Sequence, residues 1–194
     1  LMDHIIDLFP NPIEGNYHKA TLADGTTEEF VVSPGGVPAA FVWKTVSDQY
    51  GKYSFIKVLS GEITSDTTLV NARTGESEKL GRLYVMTGKK TTEVKELSCG
   101  DIGAIGKMDK VKTGDTLCDP RKVVSLKGLP YAPSCYSMAI APKTKGQEEK
   151  VAAGLNRLNE EDPSFSLYNN PETHQLVISG SGDQQLDVLV AKLK

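Results

Sequence analysis

The chain has 194 residues, a formal net charge of -3 and 24% charged residues, which is ordinary for a globular protein of one large or two small domains. This acidic balance argues against a protein that its overall field holds to nucleic acid, so any RNA contact must come from a local cluster of lysines or arginines. No apolar run approaches the roughly 18 residues of a membrane span. Neither a secretory leader nor a CxxC pair among the three cysteines is visible.

Both ends of the chain lie within helical patterns. Pro10 and Pro12 stop the first apolar stripe, whereas the last stripe reaches Lys194 without a stop signal. The two stripes consist of Met2, Ile5, Ile6 and Phe9, and of Leu186, Leu189, Val190 and Leu193. We therefore expect an excised piece of a larger protein, and the alternative is a natural protein with frayed termini.

Residues 17–119 have the pattern of a β domain. Short runs of β-branched and aromatic residues alternate with turns, of which Asp24-Gly25 is a strong hairpin signal. Many short strands with frequent turns predict a closed barrel, because closure removes exposed sheet edges. Residues 24–36 are poor in apolar side chains and could form a protruding loop. Residues 121–133, which contain Gly128 and two prolines, have the composition of a linker.

From Cys135 the pattern changes to β-α-β-β-α. Alternating apolar residues over 136–140 predict a strand, and Thr144 with Gln147 forms a capping box that predicts the start of a helix. Two further strands are predicted at 165–168 and 176–178, followed by a helix from Gln184 to Lys194. This order predicts a ferredoxin-like unit that lacks one strand.

No catalytic constellation is visible in the sequence. There is no G-x-x-x-x-G-K-[ST] phosphate loop, and Gly180-Ser181-Gly182 does not fit the G-x-S-x-G serine elbow. His4, His18 and His174 are too far apart in the sequence to suggest a metal site. We therefore predict neither a catalytic residue nor a metal ligand.

Several motifs, in order along the whole chain, resemble those of the elongation factor G family. The opening run to Pro12 resembles the end of that family's GTPase domain, and Lys57-Val58-Leu59-Ser60-Gly61 resembles its R-V-Y-S-G. The run 113–119 reads T-G-D-T-L-C-D, as the family does. The runs 141–145 and 158–165 are similar to its E-P-K-T-K and L-A-E-E-D-P-S-F. Each motif is weak alone, but their shared order and spacing are specific.

The resemblance implies a β-barrel, the translation-factor domain II, followed by an α+β ferredoxin-like domain III. It implies a tail of an upstream GTPase domain at 1–15, domain II at 16–122, a linker at 123–131 and a C-terminally truncated domain III at 132–194. The parent would be a cytoplasmic, ribosome-dependent GTPase of translocation that binds GTP and Mg²⁺ upstream, whereas this piece would be no enzyme and hold no cofactor. Its partners would be small-subunit ribosomal RNA, ribosomal proteins and the adjacent domains, with no membrane and no DNA.

Two groups of basic residues are candidates for ribosome contacts. In the barrel these are Lys52, Lys57, Lys79 and Arg82, although each could equally be an ordinary solvated cation. The pair Lys143 and Lys145 lies at the predicted helix start, where backbone N–H groups could join them in holding an anion.

One motif departs from the family pattern. The family reads G-M-G-E-L-H-L-E/D where this chain has Gly180 to Asp187, so that Gln185 replaces a histidine and Gln184 an apolar residue. Asp183, Gln184 and Gln185 are therefore candidates for altered interdomain contacts. The alternatives are a paralogue for ribosome recycling, rescue or tetracycline protection, or a stand-alone interaction module.

Overall fold

The fold is that of a computed structural model, which describes residues 1–14, 18–48, 51–88, 90–108 and 110–194. The chain divides into two compact units, Leu1–Gly128 and Leu129–Lys194. The predicted start of the barrel at residue 16 lies outside the described residues. Within them, no helix is both long and apolar enough to cross a membrane.

The first unit consists of strands after one short helix. The helix α1 spans Met2–Leu8 and buries none of its residues. The strands are β1 His18–Leu22, β2 Thr27–Phe30, β3 Ala39–Asp48, β4 Gly51–Ser60, β5 Glu62–Thr64, β6 Thr68–Asn71, β7 Ser77–Lys79, β8 Leu83–Thr87, β9 Lys90–Val94, β10 Glu96–Ser98, β11 Ile102–Gly106, β12 Thr116–Cys118 and β13 Val124–Leu126.

Eight of these strands form one large sheet in the order β7-β6-β12-β3-β4-β11-β8-β9. Two smaller sheets, β13-β1-β2 and β10-β5, complete the unit. Within the described residues the large sheet does not return to its first strand, so the expected closed barrel is a barrel-like arrangement of three sheets. The wrong part of the prediction is closure, because the edge strands β7 and β9 of the large sheet do not pair with each other among the described residues.

Alternation along β4 explains how this unit forms its core. Ser54, Ile56 and Val58 are fully buried, whereas the residues between them are half-buried on the opposite face. The inward set joins a core of fully or nearly fully buried side chains that includes Val42, Ile63, Leu69, Leu83, Leu97, Ile105 and Leu117. Each such aliphatic side chain stabilises the fold by about 1.5–3 kcal/mol relative to an exposed position.

The small sheet β13-β1-β2 changes two expectations for the first unit. Residues 27–30, within the expected protruding loop, form β2, which pairs with β1 across the predicted Asp24-Gly25 turn. Gly25 has φ +85°, the left-handed conformation that such a turn needs. Part of the predicted linker 123–131 is the strand β13, which pairs with β1 because Val124 and Leu126 bury their side chains there.

The second unit has the predicted β-α-β-β-α order. Its elements are β14 Tyr136–Ile140, α2 Glu148–Glu161, β15 Ser166–Asn169, β16 Leu176–Gly180 and α3 Asp183–Leu193. The antiparallel sheet has the order β14-β16-β15, and both helices supply residues to one core with Ile178 and Phe165. Leu155 on α2 is fully buried in this core.

The start of α2 differs from the prediction. The helix begins at Glu148 after Gln147, and no side chain caps it. Thr144 is therefore not its N-cap, because Gly146 adopts φ +86° and the chain makes a turn there before the helix starts. Lys143 and Lys145 consequently lie in this turn rather than in the first helical turn.

Candidate functional site

The outward face of the large sheet carries aromatic side chains on adjacent strands. Trp43, the extra residue of a bulge between β3 and β4, packs on Phe55 with ring centroids 5.5 Å apart. One row across the sheet consists of Phe55, Ala104 and Tyr84, because β11 pairs with both β4 and β8. The next outward row places Tyr53 opposite Gly106. These aromatic side chains therefore lie on one face, in adjacent rows of neighbouring strands.

A notch lies beside Tyr84, whose ring contacts that of Tyr53. The rings of Tyr53 and Tyr84 meet edge to face, with centroids 5.9 Å apart and planes at 74°. Gly106 lies beneath them, and a methyl group there would be 3.3 Å from Cε2 of Tyr84 and 4.0 Å from Cε1 of Tyr53. Gly81 approaches Gly106 so closely that a Cβ on it would be 2.6 Å from the Gly106 carbonyl oxygen. These close approaches favour glycine at both positions, and the notch beside them has a volume of about 360 Å³.

Positive side chains surround this notch. Arg82 and Lys107 line it together with Gly81, Tyr84 and Gly106. Backbone hydrogen bonds fix their positions, since Gly106 N–H donates to the Arg82 carbonyl at 3.2 Å and Lys107 N–H to the Lys52 carbonyl at 3.0 Å. Lys107 has φ +62°, which turns the chain at the end of β11. Within the described part of the chain, its ammonium makes no ion pair.

The structure brings some of the predicted barrel cations together and separates others. Lys52 and Arg82 both lie beside the notch, through the backbone contacts just described. Lys57 lies on the same outward face but in the row of Phe41 and Ile102. Lys79 lies at the end of β7 and faces Asp66, with Nζ and Oδ1 3.4 Å apart. Of the predicted barrel cations, Lys52 and Arg82 therefore lie close together, beside the notch.

A polar network fixes the loop that follows this region. Asp115, 4% exposed, accepts hydrogen bonds from Arg73 Nε at 2.7 Å, Asn71 Nδ2 at 2.8 Å and the Lys112 N–H at 2.9 Å. Burial pushes the pKa of Asp115 upward, but the hydrogen bonds from Arg73, Lys112 and Asn71 outweigh it and leave the pKa below its ordinary value. The T-G-D-T-L motif thus contains a structural carboxylate rather than a reactive one.

The basic pair of the second unit lies beside a groove. Lys143 and Lys145 are exposed and line a groove of about 680 Å³ with Pro142, Glu148 and His174, among other residues. Glu148 and Glu149 occupy the first turn of α2. Their negative charges interact with the positive end of the helix dipole and would repel a bound anion. The expected anion site at this helix start therefore loses most of its electrostatic support.

The three interdomain candidates have different surroundings. Asp183 and Gln184 are exposed at the start of α3, whereas Gln185 is half-buried and points into its own unit. Gln185 Oε1 accepts from the Ser181 N–H at 2.7 Å, and its Nε2 donates to Ser164 Oγ at 2.8 Å. Ser164 Oγ in turn donates to the Asp162 carboxylate. Gln185 thus connects the start of α3 to the loop after α2.

The histidines and acidic residues are scattered. His4 lies on α1, His18 on β1 and His174 in the turn between β15 and β16, where its φ is +53°. Among the residues that the structure describes, no three His, Cys, Asp or Glu side chains are grouped to hold a metal ion.

The sequence analysis missed four residues of the site: Tyr53, Tyr84, Gly106 and Lys107. They lie far apart in chain order and meet only through the pairing of β11 with β4 and β8. A local signal existed for Gly106 alone, as a glycine within a strand pattern, which indicates close approach of another group.

Comparison with known proteins identifies both units. Residues 38–120 match the family model "Elongation factor G domain 2", and residues 131–194 match "Elongation Factor G, domain III". Elongation factor G of Ureaplasma parvum serovar 3 is 35% identical over the whole chain. A crystal structure of a Thermus thermophilus protein superimposes on 99% of the chain with a TM-score of 0.77 and 24% identity, which supports the fold.

The chain spans 28% of the length of that curated relative and 27% of that solved chain. The two matched segments are consecutive and cover most of the sequence, in the order that the family's domain numbers give. The expected fold class, a β-barrel-like domain followed by an α+β domain, is confirmed together with the resemblance. The chain belongs to the elongation factor G family, and its residues 38–120 and 131–194 match that family's domains II and III.

Proposed function

We propose that this chain is the ribosome-contacting and conformational relay part of a translational GTPase that acts in translocation. The observation that supports this is the succession of two elongation factor G domains along one chain, at 38–120 and 131–194. The parent would bind GTP and Mg²⁺ in a separate domain and act in the cytoplasm, where ribosomes translate. The chain itself would hold no GTP cofactor.

The barrel-like unit would supply the contact with small-subunit ribosomal RNA. The chain carries a formal charge of -3, so RNA must be held by a local group of cations rather than by the overall field. Arg82, Lys107 and Lys52 beside the notch form such a group, and Lys57 lies farther along the same face. Lys79 and the turn with Lys143 and Lys145 would make secondary contacts.

The two-unit organisation suits a relay. Each unit has a buried core of its own, so each can move as a rigid body when the nucleotide state of the parent changes. Asp183 and Gln184 are exposed at the start of α3 and available to a neighbouring domain. Gln185 would act indirectly, by holding the start of α3 in place through Ser181 and Ser164.

Isothermal titration of the 194-residue chain with GTP and Mg²⁺ tests the division of labour. The proposal predicts no binding heat and no GTP hydrolysis, with or without ribosomes. Tight, Mg²⁺-dependent GTP binding would show that the chain contains a nucleotide site of its own. Cosedimentation of the same chain with small ribosomal subunits should recover it in the pellet at low salt and release it at high salt.

A further inference from the structure

The notch beside Tyr84 combines one aromatic wall, the backbone of two glycines and two cations. We propose that it binds one unpaired nucleotide of an RNA strand, with the base against the Tyr84 ring and the flanking phosphates beside Lys107 and Arg82. This inference rests on the proposed function and names the part of the RNA that the barrel-like unit recognises.

The shape of the notch favours a flat ligand. Gly81 and Gly106 contribute only backbone to its lining, and Gly81 allows the two backbone segments to come close. The volume of about 360 Å³ lies at the lower end of the range of small-ligand sites, roughly 300–1,000 Å³. A single base fits such a space, whereas the side of a duplex does not enter a concave site of this size.

The chemistry of the lining residues favours an unpaired base over other ligands. Aromatic rings bind any base by stacking, because every base has a π-face. In an A-form duplex the bases are stacked on one another and the deep major groove excludes side chains, so an unpaired base is the form that such a ring can reach. Lys107, without an ion pair among the described residues, supplies the charge for a phosphate.

The carboxylate of Glu93 lies near the notch, beside Arg82. Arg82 Nη1 lies 3.3 Å from Glu93 Oε2, and these side chains are 72% and 55% exposed. Exposed ion pairs of this kind are weak and screened by salt. Arg82 can therefore exchange Glu93 for a phosphate.

Fluorescence anisotropy of the whole chain with a short labelled single-stranded RNA tests this inference at low salt. Tyr84→Leu keeps an apolar side chain but removes the ring, and Lys107→Asn removes the charge while tolerating the positive φ. Lys127→Gln removes a charge in the exposed segment after β13 and is the matched control. We expect the two notch variants to bind roughly tenfold more weakly than the control, the magnitude of one lost stacking or phosphate contact.

Gly106→Ala provides a second variant, whose methyl group would lie 3.3 Å from Cε2 of Tyr84 and shift that ring without removing a contact group. It should weaken binding of single-stranded RNA, and this test does not depend on whether Tyr84→Leu lowers the folding stability. The wild-type chain should prefer the single strand over a duplex of equal length. Equal binding of both forms, equal affinity of all three variants and the control, or displacement of the RNA by an acidic peptide but not by unlabelled single-stranded RNA would each overturn the proposal.

Binding of the same variants to small ribosomal subunits separates this inference from the proposed function. If wild type and variants bind the subunits equally well, the notch plays no part and the ribosomal role of the chain stands. If the wild-type chain fails to bind the subunits at all, the proposed function itself fails.

Discussion

Arg73 and Asp115, which lie 42 positions apart in the sequence, are joined by two parallel hydrogen bonds. Nε donates to Oδ1 at 2.7 Å and Nη2 donates to Oδ2 at 2.9 Å, a fork geometry that only arginine offers. Arg73 Nη2 also donates to the Lys110 carbonyl at 3.2 Å. The pair therefore connects the turn after β6 to the loop before β12, and it stabilises the segment that follows the notch.

Asp115→Asn should destabilise the first unit by roughly 1.5–3 kcal/mol, the range for hydrogen bonds to a charged group. The neutral amide replaces one acceptor oxygen by a donor that faces Arg73. Urea unfolding followed by fluorescence of Trp43, the chain's one tryptophan, reports on this unit.

Glu76→Gln is the matched control for this substitution. Its ion pair with Lys110 is exposed, with Nζ and Oε2 2.7 Å apart, and such pairs contribute at most about 1 kcal/mol. Equal unfolding midpoints for the Asp115 and Glu76 variants would show that the network does not stabilise the unit.

The same carboxylate predicts a pH dependence. Its pKa is lower in the folded chain than in the unfolded chain, so its stabilisation is fully present above the unfolded value of about 3.9 and is lost as the pH falls through the folded value. The difference in unfolding free energy between wild type and Asp115→Asn should stay constant above about pH 5 and shrink below about pH 4. A difference that grows as the pH falls would mean that the pKa is raised by folding.

Leu155→Ala should destabilise the second unit by about 2–5 kcal/mol, as for other fully buried leucines. Val188→Ala, on α3 and 54% exposed, is the control and should change the stability by less than about 1 kcal/mol. Thermal unfolding followed by circular dichroism of the helices α2 and α3 measures both. An unchanged melting temperature for Leu155→Ala would place this residue outside the core.

Gln185→Ala should destabilise the second unit by about 1–2 kcal/mol, because two hydrogen bonds are lost together. Gln184→Ala, at the adjacent exposed position, should be close to neutral and serves as the control. Hydrogen exchange should show faster opening of the Ser181 amide in the first variant only. Identical exchange in both variants would mean that Gln185 does not hold the start of α3.

Local patterns predicted much of the second unit. Alternating apolar residues predicted β14, and an apolar stripe predicted α2. Each of these patterns is contained within a short stretch of sequence. The start of α2 was wrong since Gly146, with φ +86°, turns the chain before the helix, although Thr144 and Gln147 have the spacing of a capping box. The sequence shows the glycine but not the conformation that it adopts.

The site was less predictable than the fold for a physical reason. Tyr53, Tyr84 and Gly106 meet through antiparallel pairing of strands that are not neighbours in the chain, and sheet register cannot be read from one strand alone. Gln185 shows the same limit, because its partner Ser164 lies 21 positions earlier. The sequence suggested that Gln185 alters a contact with another domain, but its side chain forms its hydrogen bonds within its own unit.

Competition for the ribosome tests the central claim most directly. Labelled 194-residue chain would be bound to small ribosomal subunits and titrated with unlabelled full-length elongation factor G, with fluorescence anisotropy as the readout. The account predicts saturable binding that the full-length factor displaces completely. Binding that persists at saturating elongation factor G, or no binding at low salt, would contradict it.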